Sequence, residues 1–283
     1  MAVAVRPAEW LLAGYAAFVT IVGLGRLERH PAVAWAVAAH VLLLALLFMF
    51  QRLPAGRGSW LRNFGPIVLL LALYGALDLL NGFGGARTYD DTVLAWERWV
   101  FGEEVSRLWW QRWNDRLAST VFHAAYFSYY LIVPIPVVIA LFRRDEAELS
   151  RTLFALMAVF VLCYVLFILA PVAGPYYEYP RPDQQFLDNW AAQAVYGVLD
   201  RGSSFGAAFP SSHVAASWIA TAATWRSSKA IGWVVGLLSA LLTIGVVYCQ
   251  MHYAIDALAG LVVAAAVFGL TRAVFTRRAN PTH

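Results

Sequence analysis

Long apolar stretches separated by short polar connections make up most of the chain. A helix needs about 20 consecutive apolar residues to cross the hydrocarbon core of a bilayer. Eight stretches reach that length, near residues 10–27, 31–50, 64–82, 118–142, 151–172, 209–226, 229–249 and 252–273. The pattern therefore predicts an all-α fold, a multi-pass integral membrane helical bundle of about eight transmembrane helices.

The stretch 83–117 departs from this pattern, because it mixes charged residues with tryptophans. Charge on one side and tryptophan on the other predict amphipathic helices that lie in the membrane interface. The simplest role for these helices is an anchoring girdle that takes no part in catalysis.

The composition agrees with a membrane protein. Hydrophobic residues make up 61% of the 283 residues and charged residues only 13%, whereas soluble proteins carry about 25% charged residues. The basic residues are scattered over many loops and form no stripe, so no nucleic-acid partner is expected. The two cysteines are too few for a disulfide framework or a zinc site.

The distribution of basic residues indicates how the chain is oriented. Connections on the side of the N-terminus hold 12 of the 21 basic residues, nearly all in short loops. Short cytoplasmic loops carry an excess of Lys and Arg. We therefore expect a protein of the cell membrane with both termini cytoplasmic. The opposite ends of its helices would face the periplasm or the cell exterior.

Two histidine-containing motifs lie at the starts of apolar stretches near the C-terminus. The first reads Phe-Pro-Ser-Ser-His at 209–213, and the second reads His-Tyr-Ala-Ile-Asp at 252–256. His213 and His252 are 39 residues apart, about the length of two crossings and a tight turn. Both histidines should therefore return to the same face of the bilayer, the outward one.

The second motif pairs an imidazole with a carboxylate. His252 and Asp256 are four residues apart, so one turn of helix places them on the same face. A carboxylate bonded to one imidazole nitrogen fixes the tautomer and leaves the other nitrogen free to attack. Such a pair by itself is more often a structural hydrogen bond. Its place in a membrane segment favours function, because burying ionisable groups there is costly.

The first motif opens an apolar helix with groups that suit an anion. Pro210 fits the first position of a helix. The hydroxyls of Ser211 and Ser212 and the free backbone N–H groups that follow form an anion site. His213 lies within the first turn and can donate a proton to a leaving oxygen. The motif alone is often just a capped helix, but with the second motif it favours phosphoryl chemistry.

These residues resemble the type 2 phosphatidic acid phosphatase (PAP2) superfamily. Its second motif, Pro-Ser-Gly-His, matches Pro210, Ser211 and His213, with Ser212 in place of glycine. The resemblance covers roughly residues 64–273 and implies a core of six helices. It predicts two N-terminal transmembrane helices over 1–63 and a PAP2-like catalytic membrane domain over 64–283.

The other two motifs of the superfamily match in part. The third, Ser-Arg-x5-His-x3-Asp, matches in His252 and Asp256, while Gly245-Val246 stand at its Ser-Arg positions. The first, Lys-x6-Arg-Pro, matches in Arg181-Pro182, while Gly174 stands at its lysine. The chain is more similar to the branch of inositol phosphorylceramide synthase, an inositolphosphotransferase. The segments 94–102, 126–130 and 171–177 resemble that branch too.

The resemblance implies a mechanism and its residues. His252 attacks the phosphorus and forms a phosphohistidine, Asp256 orients His252, and His213 protonates the departing alcohol. Water or a second alcohol then takes the phosphoryl group, with His213 as the base. This scheme needs no metal and no cofactor.

The phosphate oxygens would be bound by hydroxyls, backbone N–H groups and an arginine. We expect Ser211, Ser212 and Arg181 to bind the phosphate, with Arg201 and Arg87 as the next candidate cations.

The sequence thus predicts a membrane enzyme that acts on a lipid phosphate or phospholipid. Transfer to an alcohol, such as inositol or a sugar alcohol, is favoured slightly over hydrolysis by a lipid phosphate phosphatase. Two other classes stay open. One is a lipid or proton-coupled transporter, although no inverted repeat is visible. The other is an inactive scaffold that binds anionic headgroups.

Three further polar residues lie within the predicted crossings. His123 and His40 are more simply structural histidines, although His123 lies close enough to the outer side to line a pocket. Asp78, near the outer end of the third crossing, suits a pocket or a helix-packing contact equally well.

Overall fold

The computed structural model describes residues 6–51, 65, 67–70, 72, 74–82 and 87–279. These residues form helices and no strand, apart from an isolated bridge between Val172 and Ala207. The helices are α1 (Pro7–Arg26), α2 (Val33–Gln51), α3 (Ala76–Leu80), α4 (Asp90–Phe101), α5 (Val105–Arg112), α6 (Arg116–Phe127), α7 (Tyr129–Ile132), α8 (Ile135–Phe142), α9 (Glu146–Leu169), α10 (Pro175–Glu178), α11 (Gln184–Leu187), α12 (Trp190–Gly202), α13 (Ser212–Ser227), α14 (Lys229–Tyr248) and α15 (Ala254–Ala279).

Several of these helices can cross a membrane, so the prediction of an all-helical, multi-pass membrane protein is confirmed. Among the described residues, five segments are long and apolar enough: Pro7–Arg26, Arg116–Phe142, Glu146–Leu169, Lys229–Tyr248 and Ala254–Thr276.

The structure does not confirm the count of eight crossings. The second predicted crossing contains a shorter apolar helix, Val33–Met49. The sixth forms α13, which has 16 residues and falls short of the roughly 20 that a crossing takes. The third predicted crossing, 64–82, lies partly outside the described residues.

The fourth predicted crossing is not one continuous helix. The span Arg116–Phe142 is divided into α6, α7 and α8. Ser128 separates α6 from α7, and its hydroxyl donates to the Ala125 carbonyl. Pro134 precedes α8, where a residue without a backbone N–H is tolerated. These breaks place Tyr126 and Tyr129 beside the histidine of α13.

The stretch 83–117 contains the two predicted amphipathic helices, α4 and α5. Trp99 is 85% exposed, whereas Glu97 on the same helix is fully buried. Asp90 is also buried. The inward face of α4 therefore carries carboxylates as well as apolar side chains.

The core is organised around α9, the most buried of the five spans. Its side chains pack with those of α1, α13 and α15 in one apolar cluster. From α1, Arg26 donates to the carbonyl oxygens of Leu80 (2.7 Å) and Ile168 (2.8 Å). This bonding fixes the N-terminal helix to the ends of α3 and α9.

Close contact between α13 and α15 sets the position of the site. Gly260 of α15 lies against the start of α13, and a Cβ there would come within 2.6 Å of the Ser211 carbonyl oxygen. Because glycine has no side chain, the two helices approach closely. Their first turns therefore lie at the same end of the bundle.

Candidate active site

His252 and Asp256 meet as the sequence predicts, but through a different local geometry. His252 lies before α15 begins, so the pair is not one turn of a single helix. The Asp256 Oδ2 atom accepts the Tyr253 backbone N–H at 2.8 Å. The same oxygen lies 3.4 Å from Nδ1 of His252. The same carboxylate therefore both holds the turn before α15 and orients the imidazole.

The two histidines are in contact. Nε2 of His252 lies 3.4 Å from Nδ1 of His213, and the ring centroids are 5.6 Å apart. The hydroxyl of Tyr126 lies 3.3 Å from Nε2 of His213. The structure thus brings His252, Asp256 and His213 together at one end of the bundle. These contacts are long for hydrogen bonds, as catalytic contacts often are without a ligand.

One arrangement of protons satisfies all of these contacts with neutral rings. An ionised carboxylate only accepts, so Nδ1–H of His252 donates to Asp256. Nε2 of His252 is then an acceptor, and Nδ1–H of His213 donates to it. Nε2 of His213 accepts in turn from the Tyr126 hydroxyl. In this arrangement His252 presents a lone pair, and the adjacent His213 nitrogen carries a proton.

Burial keeps His252 uncharged. It lies between α14 and α15, outside the five spans, and is 5% exposed. Its removal from water lowers its pKa to about 4, although a backbone hydrogen bond to Ala208 acts in the opposite direction. At neutral pH the imidazole is therefore neutral, as a nucleophile must be.

The two serines of the first motif take different positions. Ser211 is the N-cap of α13, and its buried hydroxyl accepts from the Val214 N–H at 3.4 Å. Ser212 lines a cavity together with His213. Ser212 therefore faces open space, whereas Ser211 is committed to capping the helix.

Arg181 lies away from the histidines in this structure. Its guanidinium forms an ion pair with Asp200 at 2.6 Å and stacks over the rings of Tyr196 and Tyr176. The Tyr176 hydroxyl also donates to Asp200 at 2.6 Å. Burial and this bond raise the pKa of Tyr176 to about 12. Arg181 therefore does not line the cavity itself, but it contacts Tyr176, which does.

The other two candidate cations are also not among the residues that line the cavity beside the histidines. Arg201 bonds the Gly197 carbonyl of its own helix, and Arg87 is exposed.

Packing explains why glycine and valine stand at the three positions of the first and third motifs that do not match, the lysine (Gly174), the serine (Gly245) and the arginine (Val246). Gly174 has φ +86°, and a Cβ there would lie 2.7 Å from the Ala208 Cβ. At Gly245 a Cβ would lie 2.8 Å from the Phe122 carbonyl oxygen. Val246 is fully buried. None of these positions has room for a long basic side chain.

A small cavity of about 50 Å³ opens onto both histidines. Its described lining contains no Lys or Arg and is rich in hydroxyl groups, from Tyr74, Tyr126, Tyr176, Tyr177, Ser203 and Ser204. An anion here would be bound by hydroxyl donors and by the N–H groups at the start of α13.

Two larger cavities continue from it towards apolar surroundings. The next, of about 190 Å³, shares His213 with the first. A third, of about 320 Å³, shares Tyr129, Tyr130 and Phe160 with the second. Its walls are almost entirely apolar and lie between α8 and α9, around Val137 and Leu156.

Two buried carboxylates of α4 support the site, and the sequence reasoning missed their role. Asp90 accepts the N–H groups of Ala173 (2.9 Å) and Gly174 (2.8 Å) and the Tyr253 hydroxyl (2.9 Å). These bonds join the loop after α9 to the residue that follows His252. The carboxylate of α4 therefore fixes one wall of the small cavity.

Glu97 lies seven residues further along α4, on the same face. It accepts the N–H of Ala254 at 3.1 Å and both the N–H and hydroxyl of Ser106. Burial raises the pKa of Glu97, and these bonds oppose the rise. Asp90 and Glu97 are spaced by two turns of helix, and this spacing is the feature of the sequence that could have predicted that they share one face.

The remaining polar residues lie outside this lining. His123 bonds Ser119 of its own helix and packs against Phe186. His40 bonds the Ala36 carbonyl, and Asp78 accepts the Phe205 N–H at 2.8 Å. Among the described residues, no group of three or more His, Cys, Asp or Glu is arranged to hold a metal.

The fold and the site define a class: a multi-pass helical membrane protein with two histidines and a carboxylate converging at one end of the bundle. The family model described as PAP2 superfamily matches residues 91–270. The match covers more than half of the chain, so the protein belongs to the PAP2 superfamily. Members of this superfamily are typically phosphatases and phosphotransferases that act on lipid phosphates in membranes.

The matched range includes both histidine motifs and leaves out α1, α2 and α3. No curated protein and no solved structure matches the chain.

Proposed function

We propose that this protein transfers a phosphoryl group from a lipid phosphate or phospholipid through a phosphohistidine on His252. Membership of the superfamily supports the reaction class. The proposed roles of His252 as nucleophile and His213 as proton donor rest on the 3.4 Å contact between Nε2 of His252 and Nδ1 of His213. It joins an oriented lone pair to a proton donor beside the same cavity.

In the first step, the lone pair on Nε2 of His252 attacks phosphorus. The bond between phosphorus and the leaving oxygen breaks. His213, which carries a second proton on Nε2 once the phosphate anion is bound, gives that oxygen the proton of Nδ1 and becomes neutral. Asp256 stabilises the positive charge that develops on the His252 ring, because its carboxylate already accepts from Nδ1–H. The products are a phosphohistidine and an alcohol.

In the second step, an acceptor hydroxyl enters the cavity. Nδ1 of His213 takes its proton, the hydroxyl oxygen attacks phosphorus, and the bond to Nε2 of His252 breaks. An alcohol acceptor gives a new phosphoester, and water gives free phosphate. The Tyr126 hydroxyl contacts Nε2 of His213 and keeps the ring oriented in both steps. It accepts from Nε2–H while the ring is charged and donates to Nε2 when the ring is neutral.

Hydroxyl groups and the α13 N-terminus are proposed to bind the phosphate oxygens. Ser212 faces the cavity, and Ser211 holds the helix whose N–H groups point towards it. Arg181 joins them only if a bound phosphate draws it away from Asp200. We keep it as the candidate cation because Tyr176 bridges it to the cavity wall.

The apolar cavity between α8 and α9 is proposed to hold the hydrocarbon chain of the substrate. It continues from the histidines through Tyr129 and Tyr130. A lipid whose phosphate lay beside His213 would place its first methylenes there. A water-soluble phosphate would leave this apolar surface without a partner.

We favour an alcohol such as inositol, or a sugar alcohol, as the acceptor over water. The support is that this chain departs from the common motifs at Gly174 and Val246, as the inositolphosphotransferase-like branch does, and that packing at both positions excludes the motif cations. Hydrolysis at the same site is the second candidate. The arginine distribution supports cytoplasmic termini and a site that faces the periplasm or the exterior.

The test is an assay of the purified protein in detergent against a panel of lipid phosphates and phospholipids, with and without myo-inositol. Products are identified by mass spectrometry and by release of free phosphate, beside His252→Ala. A new phosphoester that the variant fails to make supports transfer, and free phosphate lost in the variant supports hydrolysis. Equal products from both proteins would refute the histidine mechanism and favour a transporter or a scaffold.

A further inference from the structure

A separate cavity lies at the opposite end of the bundle from the histidines. Its volume is about 310 Å³, and it is lined by Arg151 of α9, Arg226 of α13 and Arg272 of α15. Arg226 is 13 residues beyond His213 on the same helix, which at 1.5 Å per residue is about 20 Å. The cavity is therefore separate from the candidate active site.

This cavity carries an excess of positive charge. Glu148 pairs with Arg226 at 2.7 Å and lies 3.9 Å from Arg151. No ion pair formed by described residues includes Arg272. Three guanidinium groups thus face one carboxylate. Guanidinium groups bind phosphate through paired, charge-assisted hydrogen bonds.

A buried hydroxyl in the lining lacks a partner. Thr271 is 5% exposed, and its Oγ1 makes no hydrogen bond among the described residues. Two other threonines of these helices donate to the carbonyl four residues earlier, Thr276 to Arg272 and Thr224 to Ala220. A buried hydroxyl left unpaired is costly. A ligand oxygen in the cavity would satisfy it.

The rest of the lining is apolar. Ala155, Ile219 and Phe268 form walls beside the arginines. Apolar walls next to guanidinium groups suit a phosphate that carries a hydrocarbon chain.

We propose that this cavity binds a phosphate group, supplied by the headgroup of an anionic membrane lipid. Arg151 and Arg272 bind the phosphate oxygens, and the Thr271 hydroxyl donates to one of them. The first methylenes of the chain pack on Phe268 and Ile219. The ligand would join α9, α13 and α15 at the membrane surface opposite the histidines.

Native mass spectrometry of the purified, delipidated protein in detergent tests the proposal. The probes are phosphatidylglycerol and, separately, inorganic phosphate. The test variant is R151Q/R272Q. The control is R144Q/K229Q, which removes two charges from exposed residues at the same end that do not line the cavity.

We expect about tenfold fewer phosphatidylglycerol adducts on R151Q/R272Q than on the wild type or the control. Thr271→Val keeps the side-chain shape and should lose adducts about threefold. It remains informative if the double variant does not fold.

The adduct counts distinguish a lipid headgroup, a free phosphate ion and no specific site. Loss of phosphatidylglycerol only in the cavity variants supports the lipid headgroup as the ligand. Inorganic phosphate that binds the wild type with the same dependence on Arg151 and Arg272 supports a phosphate site and assigns it to the free ion. Equal adducts on the cavity variants and the control overturn the proposal.

Discussion

The backbone N–H of Ser211 donates to the carbonyl oxygen of Asp256 at 2.9 Å. This bond fixes the start of α13 against the first turn of α15. Because His213 follows Ser211 and His252 precedes Asp256, the same bond sets the distance between the two imidazoles. The candidate site therefore depends on helix packing as well as on its own side chains.

Gly260→Ala should disturb this packing. The added Cβ would lie 2.6 Å from the Ser211 carbonyl oxygen, so the two helices must move apart. We expect a loss of about 1–3 kcal/mol in the free energy of unfolding, as overpacking typically causes. We also expect activity to fall at least tenfold, since misplaced catalytic groups lose much of their effect.

Gly269→Ala is the matched control for Gly260→Ala. It lies on the same helix, and a Cβ there meets nothing within 4 Å. Thermal unfolding in detergent and the lipid assay should show it equal to the wild type or slightly more stable. Equal behaviour of the two alanine variants would show that the close approach does not position the site.

Asp256→Asn should abolish most activity while the protein stays folded. The amide can still accept the Tyr253 N–H through its oxygen, but it does not stabilise a positively charged His252. We expect the turnover rate to fall about a hundredfold or more. Asp91→Asn, an exposed neighbour of Asp90, is the control and should leave the rate unchanged. A wild-type rate in Asp256→Asn would rule out the orienting role.

The sequence predicted that His213, His252 and Asp256 meet, but it did not predict the contacts that hold them. The 39-residue separation predicted that His213 and His252 meet, and their rings are in contact because α13, a turn and α14 return the chain to the same end of the bundle. The fit of α15 to α13 through Gly260 is a contact between helices. No local pattern in the sequence encodes it.

Two features of the structure show the limits of local patterns. Arg181 matched a motif position, yet its partner Asp200 is 19 residues away and holds it outside the cavity. The stretch 83–117 predicted interfacial helices that only anchor the protein, whereas Asp90 and Glu97 point inwards to backbone donors 83 and 157 residues away. A carboxylate on an amphipathic helix does not reveal by itself whether buried N–H groups face it.

Glu97→Gln should lower stability more than an exposed change of the same kind. Its carboxylate accepts from Ala254 and twice from Ser106, and glutamine would turn an NH₂ group towards one of these donors. We expect a loss of about 1–3 kcal/mol in the free energy of unfolding. The change also loosens the start of α15, so activity should fall too.

Glu103→Gln is the control for Glu97→Gln. It removes a largely exposed ion pair with Arg112, and such pairs contribute little to stability because water screens them. Chemical denaturation of both variants in detergent measures the difference. If Glu97→Gln were no more destabilised than Glu103→Gln, the buried contacts would not support the site.

The activity should resist acid more than an ordinary histidine allows. Burial lowers the pKa of His252 from 6.5 to about 4. Its lone pair is therefore available above the lowered pKa and is lost only as the pH falls through it. We expect the acidic limb of kcat/KM to lie well below pH 6.5.

A phosphodiester lipid is the substrate of choice for this profile, because its charge does not change over the same pH range. An acidic limb centred near the ordinary histidine pKa would show that His252 is solvated and not buried as described.

Direct detection of the phosphohistidine tests the central claim. The protein is mixed with a lipid labelled with ³²P at the reactive phosphate, quenched rapidly in alkali, where a phosphorus–nitrogen bond survives, and digested for mass spectrometry. We predict label on the peptide that contains His252, on one imidazole nitrogen, and none in His252→Ala. Product formation by the wild type without label on His252, or with label on Ser211 or Ser212, would contradict the account.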